Sequence, residues 1–271
     1  MRVKQLLKSC QQNREAVLAT NFYNLETLQA IMRAAQITSS PVLLQLTRSS
    51  IDYMGLKQAV AMARQAIADY GINGWIHLDH GGSIELVERC LDAGFDSVMI
   101  DASEQPFEEN VATTRRVVEI AAPYGVNVEA ELGYVAKLGQ TQGGGFTTAE
   151  EAKSFVEQTG VDALAVSIGS AHGFYKQAPK LDIARLSEIH AATPVPLVLH
   201  GSSGIPHDMV REAIANGIAK VNLATEIKDT FMRHLKAVLT TTDEIDLRKV
   251  FPKATDAVVE LLIEKYGVVR G

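Results

Sequence analysis

Six side chains able to bind a metal ion or move a proton stand where apolar runs of the sequence give out. Asp79 and His80 end the run Gly74-Trp75-Ile76-His77-Leu78-Asp79-His80-Gly81-Gly82, Asp101 ends FDSVMID and His200 ends PLVLH. Glu131 lies with Glu129 in VNVEAEL, and His172 follows the apolar stretch Ala163 to Ile168. Three imidazoles around one open position describe a catalytic Zn2+ site, whose fourth position is left for water or substrate. The separations from His80 to His172 to His200 exclude a local finger, so only a fold can gather the three. Each residue also has a plainer reading by itself: a loop histidine is commonly solvated, and a strand-end aspartate caps the next helix. His77, His190, His207 and His234 fall elsewhere and read as structural, although His77 shares a strand face with Asp79. The two cysteines, Cys10 and Cys90, form no metal-type pair, so a metal site here must use His, Asp or Glu.

The elements that would position these groups alternate along the chain. Strand-like runs are expected at 15–21, 41–46, 75–79, 95–101, 126–132, 163–168, 196–200 and 219–223. Helical patterns lie between them. Asn24 caps the first, one helix is expected over Ile51 to Tyr70 with Gly71 as its left-handed terminator, and Ser83, Pro106 and either Thr147 or Thr148 mark further starts. Two more helical stretches, 225–240 and 254–266, close the sequence. Eight strands alternating with helices imply an α/β fold with a parallel sheet, and 271 residues suit a single (β/α)8 TIM barrel with an additional C-terminal helix, read as one domain over 1–271. An open doubly wound sheet is the other candidate; no Gly-x-Gly-x-x-Gly follows the first strand to support it. In a barrel, all the strand ends named above meet on one face.

Composition narrows the partners. A net charge of -6 with no basic cluster argues against nucleic acid. No apolar run approaches the roughly 20 residues that span a bilayer, and the start of the chain lacks the apolar segment of a signal peptide. Two cysteines far apart suit a reducing cytoplasm.

Two loops have the character of an anion site. Gly201-Ser202-Ser203-Gly204 follows the seventh strand, and Asn222-Leu223-Ala224-Thr225 follows the eighth and enters a helix. Barrels bind phosphate at this place with backbone N–H groups and a helix N-terminus; the alternative is an ordinary turn plus a helix cap. Arg48, after the second strand, reads either as a bidentate donor to a second phosphate or as a solvated loop arginine.

Taken in order, LHLDHG, VMIDAS, VEAELG, SIGSAHGFY, PLVLHGSSGIP and KVNLATE resemble the class II, metal-dependent ketose-bisphosphate aldolases of the tagatose/fructose-bisphosphate type. The likeness runs from Asn21-Phe22-Tyr23-Asn24 to Asp246-Leu247-Arg248-Lys249, nearly the whole chain. It implies Zn2+ held by His80, His172 and His200, Asp79 as catalytic acid/base, and Asp101 and Glu131 at positions able to hold a second divalent or monovalent cation. It places Gly173, Gly201, Ser203, Asn222, Ala224 and Thr225 at the dihydroxyacetone phosphate site. It further implies a phosphosugar substrate, retro-aldol cleavage and a homodimer or homotetramer. Asn21 lies in a matching motif. One departure stands out. The family's glycine-rich loop after ELG carries an acid that protonates the enediolate, whereas 133–145 here contains no Asp or Glu. Tyr134, Lys137 or a water is left to serve, or the substrate differs: a ketose monophosphate or sugar acid. A barrel hydrolase with His-x-His on its first strand and a non-catalytic binding subunit are the other classes weighed.

Overall fold

The computed structural model describes residues 1–133, 135, 145–175 and 179–270. Eight parallel strands close into a barrel: β1 (Val17–Asn21), β2 (Val42–Leu46), β3 (Gly74–Gly81), β4 (Ser97–Ile100), β5 (Asn127–Leu132), β6 (Ala163–Val166), β7 (Leu197–Leu199) and β8 (Ile218–Leu223). Each pairs with the next, and β1 completes the ring by pairing Ala19 with Asn222. The helices are α1 (Val3–Asn13), α2 (Leu25–Ile37), α3 (Arg48–Met54), α4 (Leu56–Tyr70), α5 (Ile84–Asp92), α6 (Phe107–Ala121), α7 (Ala149–Thr159), α8 (Ile183–Ala192), α9 (His207–Ala215), α10 (Thr225–Leu239) and α11 (Leu247–Val269). This is the (β/α)8 barrel with a C-terminal helix that the alternating pattern predicts. None of the described helices is long and apolar enough to cross a membrane.

Both faces of each strand are covered, which explains their near-continuous apolar runs. Outward residues such as Leu18, Leu44, Ile76, Val98 and Leu164 form the larger core under the helices. Inward residues Val17, Ala19, Leu43, Ala163, Ala165, Val198 and Ala219 form a second core, into which α1 inserts Val3, Leu6, Leu7 and Cys10. Small side chains on β6 and β8 leave room for that helix, which seals the barrel at the N-terminal ends of the strands. Trp75 packs there too, and its Nε1 donates to Met1 O at 3.2 Å.

Local signals explain most helix ends. The Asn24 side chain accepts from Thr27 N, Ser83 from Leu86 N and Thr148 from Glu151 N. Gly71 ends α4 at φ +64°. Three elements differ from expectation. The sequence reading assigns nothing before residue 15, although Val3, Leu6, Leu7 and Cys10 follow a helical period. The expected helix over Ile51 to Tyr70 is two helices, broken at Gly55 with φ +84°, a conformation that ends a helical run. The last helix begins at Leu247 rather than 254, with the Asp246 side chain accepting from Arg248 N.

Candidate active site

The inward face changes from apolar to ionic midway up the barrel. Lys220, on β8, is fully buried; its Nζ lies 3.0 Å and 2.9 Å from the two carboxylate oxygens of Glu129, on β5. It also donates to His77 Nε2 at 3.4 Å, so His77 gives its Nδ1–H to Ser97 Oγ at 2.7 Å. Burial, and then the Lys220 charge, push the His77 pKa down to about 3, so this imidazole is neutral. Burial alone would raise the Glu129 pKa; the Lys220 charge and the hydrogen bond from His200 reverse that and hold it well below the usual carboxylate range. Glu129 Oε1 also accepts from His200 Nε2 at 3.0 Å. That bond fixes the ring and leaves Nδ1 facing the rim, the arrangement in which a carboxylate behind an imidazole orients it toward a metal.

Above this layer the imidazoles converge. His80 and His200 have ring centroids 4.7 Å apart, His80 and His172 4.9 Å, and His172 and His200 5.9 Å. One ligand atom each from His80, His172, His200 and Glu131 lies within 4.8 Å of all the others. Neighbouring strand residues point to opposite faces, yet Asp79 and His80 both serve this rim. His80 has φ +50°, and the β3–β4 register is irregular between Leu78 and Gly81, which turns the second side chain inward. Its Nδ1 lies 2.7 Å from Asp101 Oδ2, so Nε2 is the free nitrogen. Asp101 itself lies outside the four-residue cluster: Oδ2 serves His80, and Oδ1 accepts from Ser103 N–H and Oγ–H. His172 sits in the β6–α8 loop, and burial first, then the neighbouring imidazoles, lower its pKa to about 3, a neutral ligand.

The donor set fits a cation. His200 Nδ1 and Glu131 Oε2 are buried, 3.1 Å apart, and neither has an aligned hydrogen-bond partner. A buried polar atom left unpaired costs about 1–3 kcal/mol, and an ion shared with His80 and His172 would satisfy both. Three imidazoles and a carboxylate are ligands that Zn2+ takes. Burial opposes protonation of His200, but its hydrogen bond to Glu129 and the closeness of Glu131 outweigh that and raise the pKa to about 9. A cation bound at Nδ1 would therefore have to displace a proton.

Asp79 is 5% exposed and held from three sides. Asn21 Nδ2, on β1, donates to Oδ2 at 2.8 Å; Gln45 Nε2, on β2, and Asn222 Nδ2, on β8, donate to Oδ1 at 3.3 Å. Burial would raise its pKa; His80, His200, Lys220 and the Asn21 amide lower it below the ordinary value, so the carboxylate is ionised. Asp79 Oδ1 lies 4.0 Å from His80 Nε2.

A cavity of about 480 Å³ opens over these groups, and Gly173, Gly201, Ser203, Asn222, Ala224 and Thr225 all line it. Asn222, expected at the phosphate, lines the cavity and also gives an amide N–H to Asp79. Ser203 Oγ accepts from Glu226 N at 3.3 Å, and Glu226 Oε1 accepts from Gly204 N at 2.6 Å, which ties the β7–α9 loop to the start of α10. Lys265 of α11 backs Glu226 at 2.7 Å. Arg48 opens α3, is largely exposed and lies 3.6 Å from Asp52; its neighbours Thr47 and Ser49 line the cavity, and it does not. Lys137 and Tyr134 lie outside the described residues. Neither Gln45 nor Lys220 has an expected role, although the polar residue inside PVLLQL shares the parity of Leu43, and the lysine in KVNL shares that of Asn222. Lys228, the one lysine or arginine among the described lining residues, likewise carries no expected role; it stands 5.4 Å from the Tyr23 ring centroid.

The family model for class-II fructose-bisphosphate aldolase matches residues 1–270. A fructose-bisphosphate aldolase of Staphylococcus aureus (strain Mu50) is 42% identical over 277 residues, covering 98% of this chain and 96% of its own. The crystal structure of the YdjI aldolase from Escherichia coli K12 superposes with a TM-score of 0.89 at 31% identity, covering 98% of this chain and 96% of that one. At 20% identity, the fructose-bisphosphate aldolase of Campylobacter jejuni (TM-score 0.84, 98% and 93% covered) shares the fold. With its strand-end imidazoles gathered beside a buried carboxylate, and with matches over nearly its full length, the chain belongs to the class-II fructose-bisphosphate aldolase family, whose members are carbon–carbon lyases.

Proposed function

We propose that the chain cleaves a ketose 1,6-bisphosphate reversibly between C3 and C4, giving dihydroxyacetone phosphate and an aldehyde, with Zn2+ held by His80, His172 and His200. The observation that carries this reading is the convergence of those imidazoles and Glu131 next to the ionised Asp79. Asp79 takes the proton of the C4 hydroxyl as the C3–C4 bond breaks, and returns it in the aldol direction; C3 of the three-carbon half then takes a proton, from a water, Tyr134 or Lys137, to give dihydroxyacetone phosphate. The three amides of Asn21, Gln45 and Asn222 favour its charged form and fix its aim, as a general base requires. Zn2+, when bound, supplies Lewis acidity toward the carbonyl that takes up the electron pair. Gly173, Gly201, Ser203, Ala224 and Thr225 bind the phosphate of the three-carbon product; support comes from their place on the cavity wall at the N-terminus of the 15-residue α10. Holding that phosphate orients the reacting bond over Asp79. The family resemblance carries a homodimeric or homotetrameric assembly, and the two free cysteines suit the cytoplasm.

A chelator should abolish cleavage of fructose or tagatose 1,6-bisphosphate, read as release of dihydroxyacetone phosphate, and added Zn2+ should restore it. Full activity in a metal-free preparation would refute the metal assignment. The hydrolase reading loses its footing because β1 carries no histidine, and the family match does not favour a sugar-acid or monophosphate substrate or a non-catalytic subunit.

A further inference from the structure

Two loops divide the proposed site between them. The β6–α8 loop carries His172 and Gly173; the residues after β7 supply His200, Gly201 and Ser203. Each loop therefore contributes one imidazole and part of the phosphate cradle. One phenol joins them. Tyr175 Oη accepts from Ala171 N–H at 2.7 Å and donates to Gly201 O at 2.8 Å. Ala171 immediately precedes His172, and Gly201 immediately follows His200.

The contact is tighter than two hydrogen bonds alone require. Gly201 has φ +66°, and a Cβ there would run into the backbone of Ala171, so the loops meet main chain to main chain. At the other end of the same turn, a Cβ on Gly204 would lie 3.6 Å from Tyr175 Cδ2. The ring thus spans the turn from Gly201 to Gly204. Burial raises the phenol pKa, so the hydroxyl keeps the proton it gives to Gly201 O. An aromatic side chain with two torsions holds such a span at low entropic cost.

We propose that Tyr175 is a positioning residue that sets the separation of the His172 and His200 loops, and so keeps the cation site and the phosphate cradle in one register. The proposal rests on the reading of this rim as a metal and phosphate site. It is carried by a juxtaposition that the family assignment does not supply: one hydroxyl bonded on both sides to main-chain groups adjacent to two of the imidazoles.

Tyr175→Phe keeps the ring and removes only the hydroxyl, leaving the Ala171 N–H and Gly201 carbonyl without their partner. Four quantities are compared with wild type: Zn2+ affinity by competition with a chromogenic chelator, the visible spectrum of the Co2+-loaded protein, inorganic phosphate affinity of the metal-free protein by calorimetry, and the thermal midpoint. Zn2+ affinity should fall about 10-fold, in the range seen when groups that orient metal ligands are removed. Phosphate affinity should fall roughly 2- to 10-fold, the scale of a lost hydrogen bond, and the Co2+ bands should shift as the His172 ligand moves. A Tyr175→Phe protein with a lowered midpoint but wild-type affinities and spectrum would overturn the proposal, since a merely structural phenol moves only the first. A wild-type protein that binds neither Zn2+ nor phosphate would overturn the rim reading and this proposal with it. Wild-type binding of both, unchanged in the variant, would overturn the positioning role alone.

Discussion

Replacing Lys220 by Met tests whether the ionic layer of the barrel is held by one cation. Methionine matches the length of the lysine stem and removes only the ammonium. Lys220 and Glu129 are both fully buried, and their charged ends are 2.9 Å apart. Without Lys220, the Glu129 carboxylate keeps its bond from His200 but loses the positive charge that best opposes its desolvation. Removing one member of a buried pair costs about 3–5 kcal/mol, most of it the penalty of stranding the other charge. Unfolding entropy scales with chain length, and for 271 residues that loss lowers the thermal midpoint by about 5–9 °C. Calorimetry on chelator-treated protein isolates the effect from metal binding, which would itself stabilise the fold. The double variant Lys220→Met with Glu129→Gln removes both charges and should recover most of the loss. A single variant melting within about 1 °C of wild type would refute the reasoning, as would a double variant less stable than the single.

Further outcomes follow from the same geometry. Asp79→Ala should leave Zn2+ and phosphate binding in place while lowering turnover by about 10²–10⁴-fold, the scale of a lost acid/base group; unchanged turnover would remove Asp79 from the chemistry. Gly201→Ala forces a Cβ into Ala171 at a positive φ and should cost at least about 1–2 kcal/mol in urea unfolding, with weaker binding of inorganic phosphate. Cys10 and Cys90 have thiols that burial pushes up to about 11 and about 12, so less than about 1% of either is thiolate at pH 8. Neither should react with a disulfide reagent in the native protein, and both should react once it is denatured.

The barrel is legible in the sequence because its strands are buried on both faces and its helices carry explicit caps. β2, β5 and β8 lie within two residues of their expected positions, Asn24 and Ser83 cap as their residue types predict, and of the two candidates Thr147 and Thr148 the second is the cap. His80 and His200 are legible because each stands at a strand end, which barrel closure brings together, and His172 because it lies in the loop that follows β6 on the same face. Side-chain direction is less legible. Alternation along β3 assigns Asp79 and His80 to opposite faces; only the left-handed backbone at His80 lets both serve the rim, and no residue type signals that. Asn222 carries an amide that suits either phosphate or a carboxylate, and its partner depends on how β8 registers against β1 and the distance to β3. Lys220 escaped because a lysine in a strand normally reads as surface, whereas this one needed Glu129, 91 positions away, to be buried at all.

The amides that hold Asp79 come from β1, β2 and β8, so the setting of this carboxylate draws on strands far apart in the sequence. The elements before β8 supply Asp79 and all three imidazoles, but not the Asn222 amide or the lysine that balances Glu129. Both arrive together on β8, the strand that closes the ring against β1. Closing the ring and completing the setting of Asp79 and Glu129 are therefore one structural event.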